Sequence, residues 1–223
     1  MKKFNGLLFV IILIINALLF ASFPSRAQNN KDVLIGRQWD QFNRIGVYKI
    51  QDRLDCLDTI ERMALREQDA YQLFRARYER VDMVWRNSRM TLKELVLYLD
   101  SLCRNNEAAQ WNDPDSLLYR SLYHYLAGVF LQNGSTSMRQ KSDIRNHDYQ
   151  QMEEWSSTDY WEAAKTHYHA CFDSMPDDVF LSSGKWDFML KSFMRERELR
   201  PTLCDLLTQD CIERLHSDTT ELL

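Results

Sequence analysis

Apolar residues recur along this chain at spacings of three and four, which is the period of amphipathic helices. The pattern is clear over residues 48–85, where it predicts two helices folded back to back. The apolar stripe of the first comprises Ile50, Leu54, Leu57, Ile60 and Ala64, and that of the second comprises Ala70, Leu73, Phe74, Val81, Val84 and Trp85. Because a helix can bury such a stripe only against a neighbour, the pair is predicted to nucleate a helical stack.

The next segment carries the strongest local helix signal in the chain. Thr91 and Glu94 have the spacing of a capping box, in which each side chain satisfies the other's free backbone N–H. An unbroken apolar stripe then runs to Cys103. A further helix is predicted to begin at Asp113-Pro114, because Asp is a favourable cap and Pro is tolerated at the first helical position.

The end of that helix is predicted at Asn133-Gly134, through a residue in the left-handed conformation. Residues 133–155 are polar and weakly periodic, and we predict them to be the longest loop. Ser156-Ser157-Thr158 is predicted to cap the helix that follows, and Pro201 is predicted to begin the final helix.

These elements indicate an all-α fold. The chain has only 6 glycines and 4 prolines in 223 residues, and it shows no convincing strand alternation. Short connections favour antiparallel helical hairpins, and we predict that these are stacked as a tetratricopeptide-like solenoid or a bundle. The tetratricopeptide signature is absent, so this prediction concerns shape alone. Residues 28–223 are predicted to form a single domain.

Residues 1–27 have the composition of a secretory signal peptide. Two lysines follow the first methionine, and residues 7–20 form an apolar run. Ser25-Arg26-Ala27 then places small residues at the two positions that a signal peptidase recognises. We predict cleavage after Ala27 and an exported protein that is periplasmic or associated with the cell envelope. The alternative is an uncleaved membrane anchor, for which the apolar run is short.

The charge balance disfavours a nucleic-acid partner. Residues 1–27 hold 3 of the 28 basic residues and no acidic ones, so 25 basic residues remain against 32 acidic residues, a net charge of −7. Nucleic-acid phosphates require a basic face, which this chain lacks. Contact with a membrane is predicted only through the signal segment, if that segment stays uncleaved.

The cysteines do not form a recognisable disulfide framework, because their number is odd and they are scattered along the chain. Small apolar core residues are the favoured interpretation for most of them. One long-range disulfide stays open and cannot be assigned. The five are Cys56, Cys103, Cys171, Cys204 and Cys211.

A search for catalytic chemistry finds no phosphate loop, nucleophile elbow, HExxH or CxxC motif. His167 and His169 are the nearest approach to a metal pair, but a spacing of two on a helix directs the rings to different sides. Paired acids such as Glu153-Glu154 lack the glycine and ligand spacing of a calcium loop. We therefore predict no catalytic residue, no cofactor and no bound metal.

The aromatic residues of two predicted helices are spread around more than one helix face. Core packing accounts for most such residues, but stacked hairpins also present concave surfaces that bind peptides. We predict a surface for a protein or peptide partner in the cell envelope. Its candidate residues are Tyr119, Tyr123, Tyr160, Trp161 and Tyr168.

Three stretches carry a family resemblance: residues 153–160, 167–172 and 199–207. The resemblance is sharpest in the last, which reads Leu-Arg-Pro-Thr-Leu-Cys-Asp-Leu-Leu. They resemble the helical N-terminal region of large bacterial α2-macroglobulin-like proteins, in which the last motif typically contains Arg-Pro-Thr-Leu-Tyr-Asp-Phe-Leu. The resemblance implies an exported protein whose relatives trap or inhibit proteases. Those relatives continue into β-rich domains, and some carry a Cys-Leu-Glu-Gln thioester that this sequence lacks. No trapping residue is therefore carried over.

Three functional hypotheses follow from the sequence. The first is an exported, non-catalytic helical interaction module. The second is a truncated family remnant without independent activity. The third is an enzyme of unrecognised type, which is disfavoured because no convergent nucleophile, base or metal set is evident.

Overall fold

The structure is a computed structural model, and it describes residues 33–137, 148–179, 184–189 and 202–220. These residues form helices and connecting turns without β-strands, so the predicted all-α class is confirmed for them. The predicted signal segment, residues 1–27, lies outside this part of the chain. Within the part that is described, no helix is both long and apolar enough to cross a membrane.

The described chain divides into two compact units, with the boundary between Glu67 and Gln68. The single domain expected from the sequence stays a prediction. The first unit contains helix α1, residues 33–44, and helix α2, Ile50–Glu67. Trp39 and Phe42 of α1 are buried and pack edge to face at 5.6 Å. The guanidinium of Arg53 in α2 lies 4.2 Å from the centre of the Phe42 ring, which joins the two helices.

The second unit contains six α-helices and one 3-10 helix within the residues described. They are α3 (Ala70–Arg86), α4 (Leu92–Arg104), α5 (Glu107–Gln110), α6 (Ser116–Ser137), the 3-10 helix (Tyr149–Glu154), α7 (Ser157–Phe172) and α8 (Leu203–Thr220). The two helices of the predicted back-to-back pair are thus present as α2 and α3. One ends the first unit and the other begins the second.

Helix α6 is the central element of the second unit. It packs most extensively against α7 and then α4, with smaller contacts to α3 and α5. The end of α6 meets the start of α7, because Gly134 lies against Tyr160. His124, which lies earlier in α6, is beside His167, which lies later in α7. Helices α6 and α7 therefore run antiparallel.

The predicted caps of α4 and α7 are confirmed. Thr91 accepts a hydrogen bond from the N–H of Glu94, whose side chain accepts from the N–H of Thr91 in return. Ser156 and Asp159 form the same capping box at the start of α7. Both caps rest on residues three apart, which is why the sequence alone predicts them.

The predicted stop at Asn133-Gly134 and the predicted loop over residues 133–155 are wrong in part. Helix α6 continues through Gly134 to Ser137, and residues 149–154 form the 3-10 helix. A Cβ atom at position 134 would press against Leu92 of α4 and Tyr160 of α7. The glycine therefore allows three helices to approach closely, and it does not terminate α6.

Candidate functional site

The five aromatic residues predicted to form a partner surface do not lie together on the surface. Tyr119, Tyr123, Tyr160 and Tyr168 are each 4% exposed or less, and only Trp161 of the five is partly exposed. The prediction of an exposed surface is therefore corrected for the four tyrosines. They are packing residues because α6 and α7 are covered on several sides.

Internal partners satisfy the hydroxyl groups of Tyr168 and Tyr160, and Tyr119 and Tyr123 make ring contacts in the core. Tyr168 Oη donates to Gln132 Oε1 at 2.9 Å, and Tyr160 Oη donates to the carbonyl oxygen of Met152 at 2.9 Å. Tyr119 and Tyr123 pack around Phe74, with ring centres 5.7 and 5.2 Å from it. Burial raises the pKa of both phenols above the usual value for tyrosine.

Trp161 is the one member of the predicted set that can still contribute to a surface. The Lys165 ammonium lies 4.0 Å above the centre of its ring, a cation–π contact one helical turn away. A role for Trp161 in partner binding stays a prediction.

Among the residues that the structure describes, an open cleft in the second unit is a candidate binding site. Its volume is about 170 Å³. Most of its lining is apolar or aromatic, and it is contributed by α3, α6, α8 and Met189. The lining residues are Tyr78, Val81, Asp82, Tyr125, Leu126, Val129, Phe130, Met189, Leu207 and Arg214. We call this feature the α3–α6–α8 cleft.

A buried carboxylate anchors the polar side of the cleft. Asp210 Oδ2 accepts hydrogen bonds from Tyr125 Oη and from Arg214 Nε, each at 2.5 Å. Burial raises the pKa of Tyr125, and the Asp210 charge raises it further. Burial alone would lower the pKa of Arg214, but its hydrogen bond and ion pair with Asp210 outweigh that effect and raise it. The Tyr125 hydrogen bond thus joins α6 to α8, and the Asp210–Arg214 ion pair within α8 compensates the buried charge.

The lining of the α3–α6–α8 cleft provides mainly apolar contact surface, and its charged groups are already paired. Its cation, Arg214, pairs with Asp210, and its acid, Asp82, pairs with Arg86 at 2.7 Å. Among the residues that the structure describes, no group of three or more His, Cys, Asp or Glu side chains is placed to hold a metal ion. The arrangement is suited to binding an apolar group.

The two histidines weighed as a metal pair are separated in the structure. His169 is exposed, whereas His167 is buried and contacts His124, with their Nδ1 atoms 2.9 Å apart. Sequence reasoning missed His124 because it lies 43 residues away on another helix. The spacing of His167 and His169 gives no signal for that contact.

All five cysteines are free thiols in the structure, and four are buried. Burial raises the pKa of Cys103 to about 12 and that of Cys211 to about 12. The favoured interpretation of most cysteines as small core residues agrees with this placement. Cys204 is partly exposed.

No protein-family model, curated protein or solved structure matches this chain. The resemblance to the helical leader of α2-macroglobulin-like proteins therefore stays a prediction.

Proposed function

We propose that the chain is an exported, non-catalytic helical interaction module that binds a peptide segment of a cell-envelope protein. The α3–α6–α8 cleft takes one large apolar side chain of that segment. The observation that carries this proposal is that the cleft is open and mostly apolar, while its two charged side chains, Arg214 and Asp82, already form ion pairs within the protein.

The size of the cleft favours a single side chain as its occupant. Pockets for drug-sized ligands span about 300–1,000 Å³, whereas this cleft measures about 170 Å³. A cavity of about 150 Å³ suffices to bind benzene. One phenyl ring or one branched aliphatic side chain therefore matches the available space.

The chemistry of the lining favours an apolar occupant over a charged one. Val81, Leu126 and Leu207 supply apolar walls. The Arg214 and Asp82 side chains are each paired with an opposite charge. A charged ligand would lose its hydration without gaining an uncompensated partner, whereas an apolar side chain gains by leaving water.

The helix arrangement that we propose is a bundle around α6, which is the second of the two shapes predicted from the sequence. The support is that α6 contacts α3, α4, α5 and α7. In a solenoid each hairpin contacts only its neighbours. Export is supported by the signal-like composition of residues 1–27.

Fluorescent peptides with one varied central residue in a Gly-Ser background test the binding proposal. We expect peptides centred on Phe or Leu to bind about tenfold to a hundredfold more tightly than the Ala peptide. The expectation follows because burying such a side chain contributes roughly 1.5–3 kcal/mol. A Glu-centred peptide should bind no better than the Ala peptide. Fluorescence anisotropy measures each dissociation constant.

A matched pair of tryptophan substitutions locates the site. Val129→Trp fills the cleft and should abolish the preference for Phe and Leu. Leu117→Trp lies on the same helix at a position that is 52% exposed and outside the cleft, and it should leave the preference intact. Equal binding of all peptides by the parent protein, or an unchanged preference in Val129→Trp, would refute the proposal.

A further inference from the structure

Two histidines and a tyrosine from three elements form a hydrogen-bonded chain in the second unit. His124 of α6 and His167 of α7 lie with their Nδ1 atoms 2.9 Å apart. Tyr149 Oη of the 3-10 helix lies 2.8 Å from Nε2, the other ring nitrogen of His167. This chain links α6, α7 and the 3-10 helix, and its central member His167 is only 4% exposed, whereas His124 and Tyr149 are partly exposed.

The number of protons on the two imidazole rings decides whether both hydrogen bonds can form at the same time. A neutral imidazole carries one N–H and one acceptor nitrogen, so one hydrogen can lie between the two Nδ1 atoms and another between His167 and Tyr149. One added proton keeps both bonds but places a positive charge in the buried site. A second added proton sets two N–H groups against each other, and the contact between His124 and His167 is then lost.

The environment of the two histidines also disfavours the addition of the first proton. Burial, together with the smaller effect of the nearby His124, lowers the pKa of His167 to about 4. Burial also lowers the pKa of His124; the positive charge of Arg120 adds to this effect, and Asp100 of α4 partly offsets it. Asp100, Cys103 and Arg104 of α4 are the charged and titratable groups that act on Tyr149.

We propose that His124, His167 and Tyr149 form a proton-sensitive latch that holds the 3-10 helix and α7 against α6 at neutral pH and releases them in acid. The latch does not depend on the proposed peptide-binding cleft, since it uses none of the cleft-lining residues.

The direction of the pH dependence follows from proton linkage. An opened histidine titrates near its ordinary value of 6.5, whereas the latched His167 titrates near 4. Opening therefore takes up a proton between these values. The stabilisation of the latched state is complete above pH 6.5 and is lost as the pH falls towards 4.

Hydrogen–deuterium exchange of the full chain measures the latch directly. After correction for the intrinsic effect of pH on exchange, amides of residues 149–172 should lose protection on the order of tenfold between about pH 7 and pH 5. In His167→Gln this loss should largely disappear, because the latch no longer takes up a proton. His169→Gln changes an exposed histidine on the same helix, and it should behave like the parent.

Two further variants keep the test decisive if His167→Gln does not fold. His124→Gln should weaken the pH-dependent loss of protection without removing it, because burial still lowers the pKa of His167. Tyr149→Phe removes only the bond to the 3-10 helix, so it should loosen residues 149–154 at both pH values while α7 keeps its pH response. Constant protection of the parent between the two pH values, or an unchanged response in His124→Gln, would overturn the latch.

Discussion

Gly128 marks a close approach between the central helix α6 and its main partner α7. A Cβ atom at this position would lie 2.6 Å from Cε1 of Tyr168. The ring cannot easily move aside, because Tyr168 is buried and its hydroxyl is bonded to Gln132. At the residue scale, the contact between α6 and α7 therefore requires glycine at position 128, because a side chain there would collide with the fixed ring of Tyr168.

We predict that Gly128→Ala destabilises the protein by about 1–3 kcal/mol, the usual range for overpacking a filled core. Alanine favours a helix over glycine by up to about 1 kcal/mol, but that gain is smaller than the steric cost here. Gly36→Ala is the matched control, because α1 leaves open space around that position. It should be neutral or stabilising by about 1 kcal/mol. Urea unfolding measures both, and a stabilised Gly128→Ala variant would contradict the described contact.

An ion pair that is buried on its arginine side joins helices α3 and α5. Arg77 donates two parallel hydrogen bonds to the carboxylate of Glu107, at 2.8 and 2.9 Å, from a guanidinium side chain that is only 7% exposed. Burial alone would raise the pKa of Glu107, but the hydrogen bonds and charge of Arg77 outweigh that effect and lower it. At the element scale, α5 has four residues, and this pair ties it to α3.

We predict that Arg77→Met lowers the free energy of unfolding by about 2–4 kcal/mol near neutral pH, since it leaves Glu107 without its charge partner. The pKa of Glu107 is lowered in the folded state, so the pair contributes fully above about pH 4.3 and less as the pH falls below it. The difference between variant and parent should therefore shrink in acid.

Arg86→Met is the control for this substitution. Arg86 also pairs with a carboxylate, that of Asp82, but its side chain is 74% exposed. Solvent screening limits such a pair to less than about 1 kcal/mol. Urea unfolding at several pH values compares the two variants. Equal losses in both would show that burial of the Arg77 pair has no special effect.

The second unit contains a hydrophobic core of its own. Phe74, Leu99, Leu122, Trp155 and Leu206 are all fully buried, and they come from α3, α4, α6, the residue after the 3-10 helix, and α8. A domain of about 150 residues buries close to 70% of the surface of its unfolded chain. At the scale of the whole molecule, residues 68–223 therefore have the size and the core of an independent folding unit.

We predict that residues 68–223 produced alone unfold in one cooperative step in urea. The reason is that their core residues come from several helices of the same unit and depend on one another. Helix content from circular dichroism and burial from tryptophan fluorescence should report the same midpoint. A gradual transition, or midpoints that differ between the two probes, would show that the fragment lacks a specific core.

The residues that sequence analysis placed correctly are those governed by neighbours along the chain. The caps at Thr91 and Ser156 and the stripes of α2, α3 and α4 depend on spacings of three or four residues. The predicted tyrosine surface failed because α6 is apolar around more than one face and is covered by α3, α4, α5 and α7. A residue on such a helix gives no local sign of whether it meets solvent or a second layer.

The sequence by itself determined the all-helical class and the ends of several helices, because backbone capping and amphipathic periodicity are short-range effects. Only the tertiary structure placed His124 beside His167, brought Asp210 to Tyr125, and set Gly134 of α6 against α4 and α7. These contacts join residues on separate helices, so no local spacing encodes them. Packing of side chains in three dimensions decides such contacts, and the cleft and the proposed latch are both built from them.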